Sequence, residues 1–247
     1  MTYQEAIAYI EDYTWSTTRL GLDRTVELLH RLGDPQKDLK FVHVAGSNGK
    51  GSTCAMLDEI LRRAGYTVGL YTSPYIYRFH ERMQVNGVQI SDEDLAAVTE
   101  YVQPFAQSMA ESPTEFELVC CIAFEYFLRK NCDIVVLEVG MGGALDSTNV
   151  IDCPEVAVIT NIGLDHTDLL GSTLPAIAAE KAGIIKPEVP VIIGERNSAT
   201  DSVFERVAHQ VGAKLYFAEE LFELVSGECC VGGSRFTVRR AGDNREY

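Results

Sequence analysis

The chain has 247 residues, with 21 Lys plus Arg against 36 Asp plus Glu and a formal net charge of −15 at pH 7. Its 46% hydrophobic and 23% charged residues are ordinary globular composition, which excludes a disordered, collagen-like or membrane-spanning chain. The summed negative field argues against nucleic acid or an anionic membrane as the main partner, while a local pocket of donors can still take a small anion.

Residues 3–13 and 23–32 read as two short helices, with Ile7 and Ile10, then Val26, Leu28 and Leu29, near helical spacing and Gly33 ending the second. Residues 41–45 form an apolar run bounded by Gly46, which predicts a buried strand. A helix follows from about Lys50 to Ala64, with Gly65 as its stop. Residues 67–71 predict a second strand leading into the Ser73-Pro74 turn, and residues 83–85 and 88–90 around Asn86-Gly87 predict a hairpin. Ser91, three residues before Asp94, caps the next helix in the manner of a capping box, and residues 116–129 form another. The apolar runs 134–137, 156–160 and 189–193 are of the kind covered on both faces of a parallel sheet. Strands alternating with helices predict an α/β fold whose mostly parallel, P-loop-type sheet is flanked by helices. From about Leu221 the pattern weakens, and the end reads as a short β-hairpin extension, incomplete over roughly the last 25 residues.

Seven cysteines, two pairs of them adjacent, contain no C-x-x-C, so no zinc knuckle or thioredoxin-like motif is legible; buried thiols in a reducing cytosol are expected. The N-terminus has no basic run followed by an apolar core, and no apolar run reaches about 18 residues, so a cytoplasmic location is expected.

The strongest chemical signal is the segment Ala45-Gly46-Ser47-Asn48-Gly49-Lys50-Gly51-Ser52-Thr53 between strand and helix. Glycines let a backbone wrap phosphates, N–H groups converge there, and the helix N-terminus adds partial positive charge. Lys50 is placed to reach β- and γ-phosphates. Gly46 and Gly49 stand closer together than in the usual P-loop, and Gly51 follows the lysine. Glu138 ends a buried apolar strand, where ligands of open α/β sheets sit, so it is expected to face a Mg²⁺ at the loop; the alternative is a carboxylate satisfied by backbone N–H groups. Ser73, after another strand, is a second oxygen candidate or merely a turn cap. His166, in a loop beyond the strand at 156–160, could ligate a second ion, orient a water or be polar surface. Lys181 could face the same cleft or support a helix dipole. Arg78 and Arg82 are candidates for attracting anionic substrates, or are solvated loop arginines.

Together these segments resemble the folylpolyglutamate synthase and dihydrofolate synthase branch of the Mur ligases, over nearly the whole chain. The resemblance rests on residues 20–24, 45–53, 71–74, 78–82, 114–117, 137–149, 161–168 and 180–187. It implies an ATP loop at Ser47, Asn48, Gly49, Lys50, Gly51 and Ser52, and catalytic roles for Lys50, Glu138, His166 and Lys181. It further implies two Mg²⁺ ions, the first held by Ser73 and Glu138 and the second by His166 and a carbamylated Lys181, whose added CO₂ supplies the anionic oxygen that an ammonium lacks. Thr114, Glu115, Phe116, Glu117, Leu145, Asp146 and Ser147 match segments lining a pteroate site, and residues 12–14 match a further pterin contact more loosely. One position departs: where the family has Gly-Gly-Arg-x-Asp, this chain has Ala144 after Gly142-Gly143.

The activity implied is an ATP-dependent amide ligase that adds L-glutamate to a folate or dihydropteroate through an acyl phosphate. It would act as a cytoplasmic monomer on small molecules, without nucleic acid or membrane. Residues 1–247 would form the ATP-binding domain, the family's C-terminal glutamate-ligase domain being absent from this sequence. Two rival readings stand beside it: a P-loop kinase or NTPase of another substrate, and an inactive nucleotide-binding fragment.

Overall fold

The computed structural model describes residues 1–12, 21–230, 232–243 and 245–247. The chain runs through α1 (Tyr3–Asp12), α2 (Asp23–Arg31), β1 (Phe41–Ala45), α3 (Lys50–Arg63), β2 (Val68–Tyr71), β3 (Met83–Val85), β4 (Val88–Gln89), α4 (Asp92–Gln107) and α5 (Glu115–Arg129). It continues through β5 (Ile134–Glu138), β6 (Val156–Ile159), α6 (Thr167–Leu170), α7 (Leu174–Ala182), β7 (Val191–Ile193), α8 (Asp201–Val211), β8 (Leu215–Phe217), α9 (Ala218–Leu221), β9 (Phe222–Cys230) and β10 (Gly233–Arg240).

One sheet has the order β4-β3-β2-β5-β1-β6-β7-β8. From β2 to β8 every neighbouring pair is parallel, and β3 and β4 add an antiparallel hairpin at the β2 edge. The expected mostly parallel α/β sheet flanked by helices is therefore present. Because β1 lies between β5 and β6, the loops leaving the C-terminal ends of these three strands meet over the middle of the sheet, where ligands of open α/β folds bind.

Strand side chains alternate between faces. Val42, Val44, Val68, Leu70 and Val136 point to one face and pack with Cys54 of α3. Phe41, Tyr71, Val135 and Leu137 point to the other and pack with Leu118, Phe124 and Phe127 of α5. Further along that face Ala157, Ile159, Val191 and Ile193 meet Ala178 and Ala182 of α7 and Phe204 of α8. Burial of each large apolar side chain contributes about 1.5–3 kcal/mol. Between these two clusters stands His43 of β1, fully buried and flanked in register by Leu137 and Ala157.

Several local expectations shift. Of the segment at residues 12–14, Asp12 closes α1, while Tyr13 and Thr14 lie outside the described residues, as does Leu20. Strand β7 starts after Pro190, which has no N–H for the ladder. Strand β8 escaped the sequence reading because it is three residues long and only Phe217 is buried. Ser91 does cap α4, its Oγ accepting from Asp94 N at 3.0 Å. The terminal hairpin pairs β9 with β10 along their whole length, with a bulge between Thr237 and Val238. Every residue of β9 is exposed. The thiols of Cys54, Cys120, Cys121 and Cys132 are buried as expected, whereas Cys153, Cys229 and Cys230 are exposed because no core covers their loop and hairpin. Among the described residues no helix is long and apolar enough to cross a membrane.

Candidate active site

The loop after β1 is held in place by the loop after β6. Ser47 N donates to Asn161 O at 3.0 Å, Asn48 N to Asn161 Oδ1 at 2.9 Å, and the Thr160 hydroxyl to Asn48 O at 2.7 Å. Ser47 Oγ donates to Gly163 O at 3.0 Å and accepts from Gly163 N at 2.9 Å. Gly49 takes φ 79°, a left-handed conformation that a side chain would oppose, and starts α3 without a side-chain cap. The first N–H groups of α3 are thereby left for an anion, and the helix dipole adds to the attraction.

Two lysines converge on this loop. Lys50 Nζ donates to Gly46 O at 3.1 Å, and Lys181 Nζ, from α7, donates to the same carbonyl at 3.0 Å. Lys181 is only 4% exposed. Burial first, and then the Lys50 charge, pull its pKa down to about 8. Glu138, at the end of β5, is also 4% exposed, and burial raises its pKa. Its carboxylate accepts from Ser73 N at 3.1 Å, and a Cβ built on Gly51 would stand 3.7 Å from it, which places it beside the first turn of α3. Lys50, Glu138, Ser73 and Lys181 thus gather around residues 46–51. Ser52 is exposed on the first turn of α3. His166 stands apart, exposed at the start of α6, with its Nε2 3.7 Å from Asp165 Oδ2. Among the described residues no three of His, Cys, Asp and Glu converge on a point that could hold a metal.

A second wall comes from α5 and the loop 140–149. Thr114 and Glu117 form a reciprocal capping box at the start of α5. Glu117 also takes a bidentate pair from Arg24, at 2.7 and 3.0 Å. Their polar atoms are therefore engaged in holding the helix. Phe116 is half-buried, with its ring against Gly140 and 6.3 Å from that of Tyr71. Glu115 is buried 3.7 Å from Arg82. Arg82 is not a solvated loop arginine: it is buried between the rings of Tyr75 and Phe79, 5.4 and 5.6 Å from their centroids. Arg78, by contrast, is exposed and donates to Gln89.

In the loop 140–149, the Asp146 carboxylate accepts from Met141 N at 2.8 Å and Thr148 N at 3.0 Å, closing the turn. Burial raises its pKa against those hydrogen bonds. Leu145 is 44% exposed and Ser147 buried. This loop lies directly on α7: a side chain at Gly143 would meet Glu180 O at 2.6 Å, and one at Gly183 would run into Ala144.

Sequence reasoning missed His43 and Thr148, whose side chains meet at 2.9 Å behind Asp146. Signals for both existed. A lone polar residue in an apolar strand needs a partner, and Asp-x-Thr favours an Asx turn.

Comparison with known proteins agrees with this fold. The Mur ligase middle domain family matches residues 44–221. A dihydrofolate synthase/folylpolyglutamate synthase from Bacillus subtilis (strain 168) is 39% identical over 242 residues, covering 96% of this chain and 56% of that protein. The chain thus spans little more than half the length of that curated relative. A solved complex of FPGS with AMPPCP and folate superposes with a TM-score of 0.90 at 38% identity, covering 98% of this chain and 60% of that one. A folylpolyglutamate synthase from Thermotoga maritima gives a TM-score of 0.88 at 36% identity, covering 99% of this chain and 56% of that one. With the family match running over most of its length, the chain belongs to the Mur ligase middle domain family.

Proposed function

We propose that the chain carries the ATP and pteroate side of an ATP-dependent amide ligase that adds L-glutamate to a folate or dihydropteroate. The observation that carries this reading is the convergence of Lys50, Glu138, Ser73 and Lys181 on the loop 46–51, over the middle of a parallel sheet. The relatives' names and the bound AMPPCP and folate of one solved relative support it.

In this reading Ser47, Asn48, Gly49, Gly51 and Ser52 surround the phosphates. Lys50 swings from Gly46 O onto the transferring phosphoryl group, so that charge developing there meets a fixed cation. The residues fit Mg²⁺. Glu138 is a buried carboxylate that accepts from Ser73 N, so lone pairs remain for a hard cation that shares its other ligands with phosphates. Ser73 and Glu138 would hold one ion, and His166 with Lys181 a second. Bound Mg²⁺ would neutralise phosphate charge. Lys181 takes the second role as a carbamate: its neutral amine, accessible because burial lowers the pKa to about 8, adds to CO₂ and releases one proton. His166 must turn inward to join it.

The substrate carboxylate attacks the γ-phosphorus, ADP leaves, and the glutamate amine then displaces phosphate from the acyl phosphate. Phe116, Leu145, Asp146 and Ser147, with the backbone around Thr114, Glu115 and Glu117, form the pteroate wall. In this reading residues 1–247 act as the ATP-binding domain. This functional unit is a cytoplasmic monomer, and its charge of −15 supports a reading without nucleic acid or membrane partners.

The test incubates the chain, and a full-length relative in parallel, with ATP, Mg²⁺, glutamate and either dihydropteroate or tetrahydrofolate. ADP and amide are then measured by mass spectrometry. Glutamate-dependent ADP and amide from the full-length protein, lost about 10²-fold or more in Lys50→Ala, are expected. ADP release indifferent to glutamate would instead favour the kinase or NTPase reading. Absence of Mg²⁺-dependent ATP binding would favour the inactive fragment.

A further inference from the structure

We propose that His43 is a positioning residue: through the Thr148 hydroxyl its imidazole fixes the Asp146 carboxylate, and so ties the strand that carries the phosphate loop to the loop 140–149. The link itself rests on geometry alone. Its meaning for substrate rests on the function proposed above.

His43 is fully buried in β1, two residues before Ala45, where the phosphate loop begins. Its Nε2 lies 2.9 Å from Thr148 Oγ1, and Thr148 Oγ1 lies 2.5 Å from Asp146 Oδ1. The direction of each bond follows from the inventory of protons. An ionised carboxylate only accepts, so the single hydroxyl proton of Thr148 goes to Asp146. The hydroxyl oxygen then has only lone pairs to offer His43, and the imidazole must carry its proton on Nε2. The far nitrogen agrees: Nδ1 is buried with no partner among the described residues, so a proton there would be an orphan donor. Burial also pulls the imidazole pKa down to about 3, which keeps the ring neutral and the bond directional at any ordinary pH.

An aliphatic residue would fill this strand position without leaving Nδ1 unsatisfied, as its neighbours Val42 and Val44 do on the other face. What the imidazole adds is a donor aimed at Thr148. Asp146 in turn gathers Met141 N and Thr148 N, so the whole turn takes its place from the hydroxyl that His43 orients. Sheet register fixes His43 between Leu137 and Ala157, and a side chain held there is a rigid reference for a loop.

Three measurements on the 247-residue chain test the proposal. Long-range nitrogen-15 NMR should show His43 as the Nε2–H tautomer; an Nδ1–H tautomer overturns it. Thr148→Val, which removes only the hydroxyl, should speed hydrogen exchange of the Met141 and Thr148 amides about tenfold or more, with α3 changing less than about twofold. Thr148→Ser should restore wild-type exchange, and His43→Gln, whose amide can donate, should restore part of what His43→Phe loses. Unchanged exchange in Thr148→Val, or equal acceleration throughout the molecule, overturns the link, and this pair decides the matter even if a His43 variant does not fold. Calorimetry should then show Thr148→Val weakening dihydropteroate about tenfold and AMPPCP less than about twofold. Equal loss of both overturns the coupling to substrate. A wild-type chain that binds AMPPCP and no pteroate counts against the function proposed above, while the NMR and exchange results still judge the link.

Discussion

Buried charge is handled in two ways in this molecule. Where α2 meets α5, Arg24 grips Glu117 with two hydrogen bonds, and Glu117 also accepts from Thr114 N at 2.7 Å. At the C-terminal rim of the sheet, Glu138 receives one hydrogen bond from Ser73 N, and Lys181 shares the Gly46 carbonyl with Lys50. The first arrangement compensates its charges within the fold. The second leaves them less compensated, as the ligand site proposed above requires, and burial shifts both the Glu138 and Lys181 pKa values toward the neutral forms. Equal burial therefore does not mean equal purpose: the number of partners separates a structural ion pair from a site.

The contrast breaks most readily at Arg24. Arg24→Met leaves Glu117 buried without its cation and should destabilise the chain by about 3–5 kcal/mol in urea unfolding. A loss under about 1 kcal/mol would mean that the pair is not what compensates Glu117. Lys181→Met should act in the opposite direction, stabilising the ligand-free protein at pH 7 by roughly 1–3 kcal/mol. The sign follows from linkage. The folded-state pKa of Lys181 is about 8 against an ordinary lysine value of 10.5, so between these pH values the unfolded chain binds more protons and stability rises with pH. That rise should vanish in Lys181→Met, and a variant less stable than wild type at pH 7 would show that the ammonium is compensated after all.

Glu138→Gln should give a smaller gain of the same sign. Its carboxyl pKa is raised in the fold, so the stabilising contribution of the protonated form is present below 4.5 and is lost as pH climbs through the raised value. Guanidinium unfolding at pH 4 and pH 7 measures this, and Mg²⁺ dependence of AMPPCP binding should flatten in the same variant. The smallest effect serves as a reference: Leu224→Ser, in β9 where Leu224 is 66% exposed, should change stability by no more than about 0.5 kcal/mol.

The parts of the fold and site legible in the sequence are those written in short segments. Residues 45–53 combine glycines, hydroxyls and a lysine between strand and helix, and the apolar run before Glu138 announces both a buried strand and a carboxylate at its end. The strand order was not legible, since nothing local says that β1 lies between β5 and β6. Contacts across great sequence distance were equally hidden: Arg24 and Glu117 are 93 residues apart, His43 and Thr148 105. Thr114 and Glu117 illustrate a different obstacle. Their T-x-x-E spacing spells a capping box, yet the family resemblance drew attention to them as substrate lining, and in the structure the side chains close the helix. Arg82 was hidden because nothing in its neighbourhood signals that Tyr75 and Phe79 fold over it.

The bare backbone contact between the loop 140–149 and α7 has a consequence for how this sequence can drift. With Glu180 O against Gly143 and Ala144 against Gly183, the two segments share one surface with no room for a Cβ at either glycine. Ala144 N–H donates to Glu180 O at 2.8 Å, and Asn149 Nδ2 donates to Gly183 O at 3.2 Å, so the seam is bonded as well as close. The obstruction is main chain: a Cβ at Gly183 would lie 2.4 Å from Ala144 Cα and 2.8 Å from Ala144 N, so no side chain chosen at 144 relieves it. A library randomised jointly at Ala144 and Gly183 should therefore still return glycine at 183, with variation confined to 144.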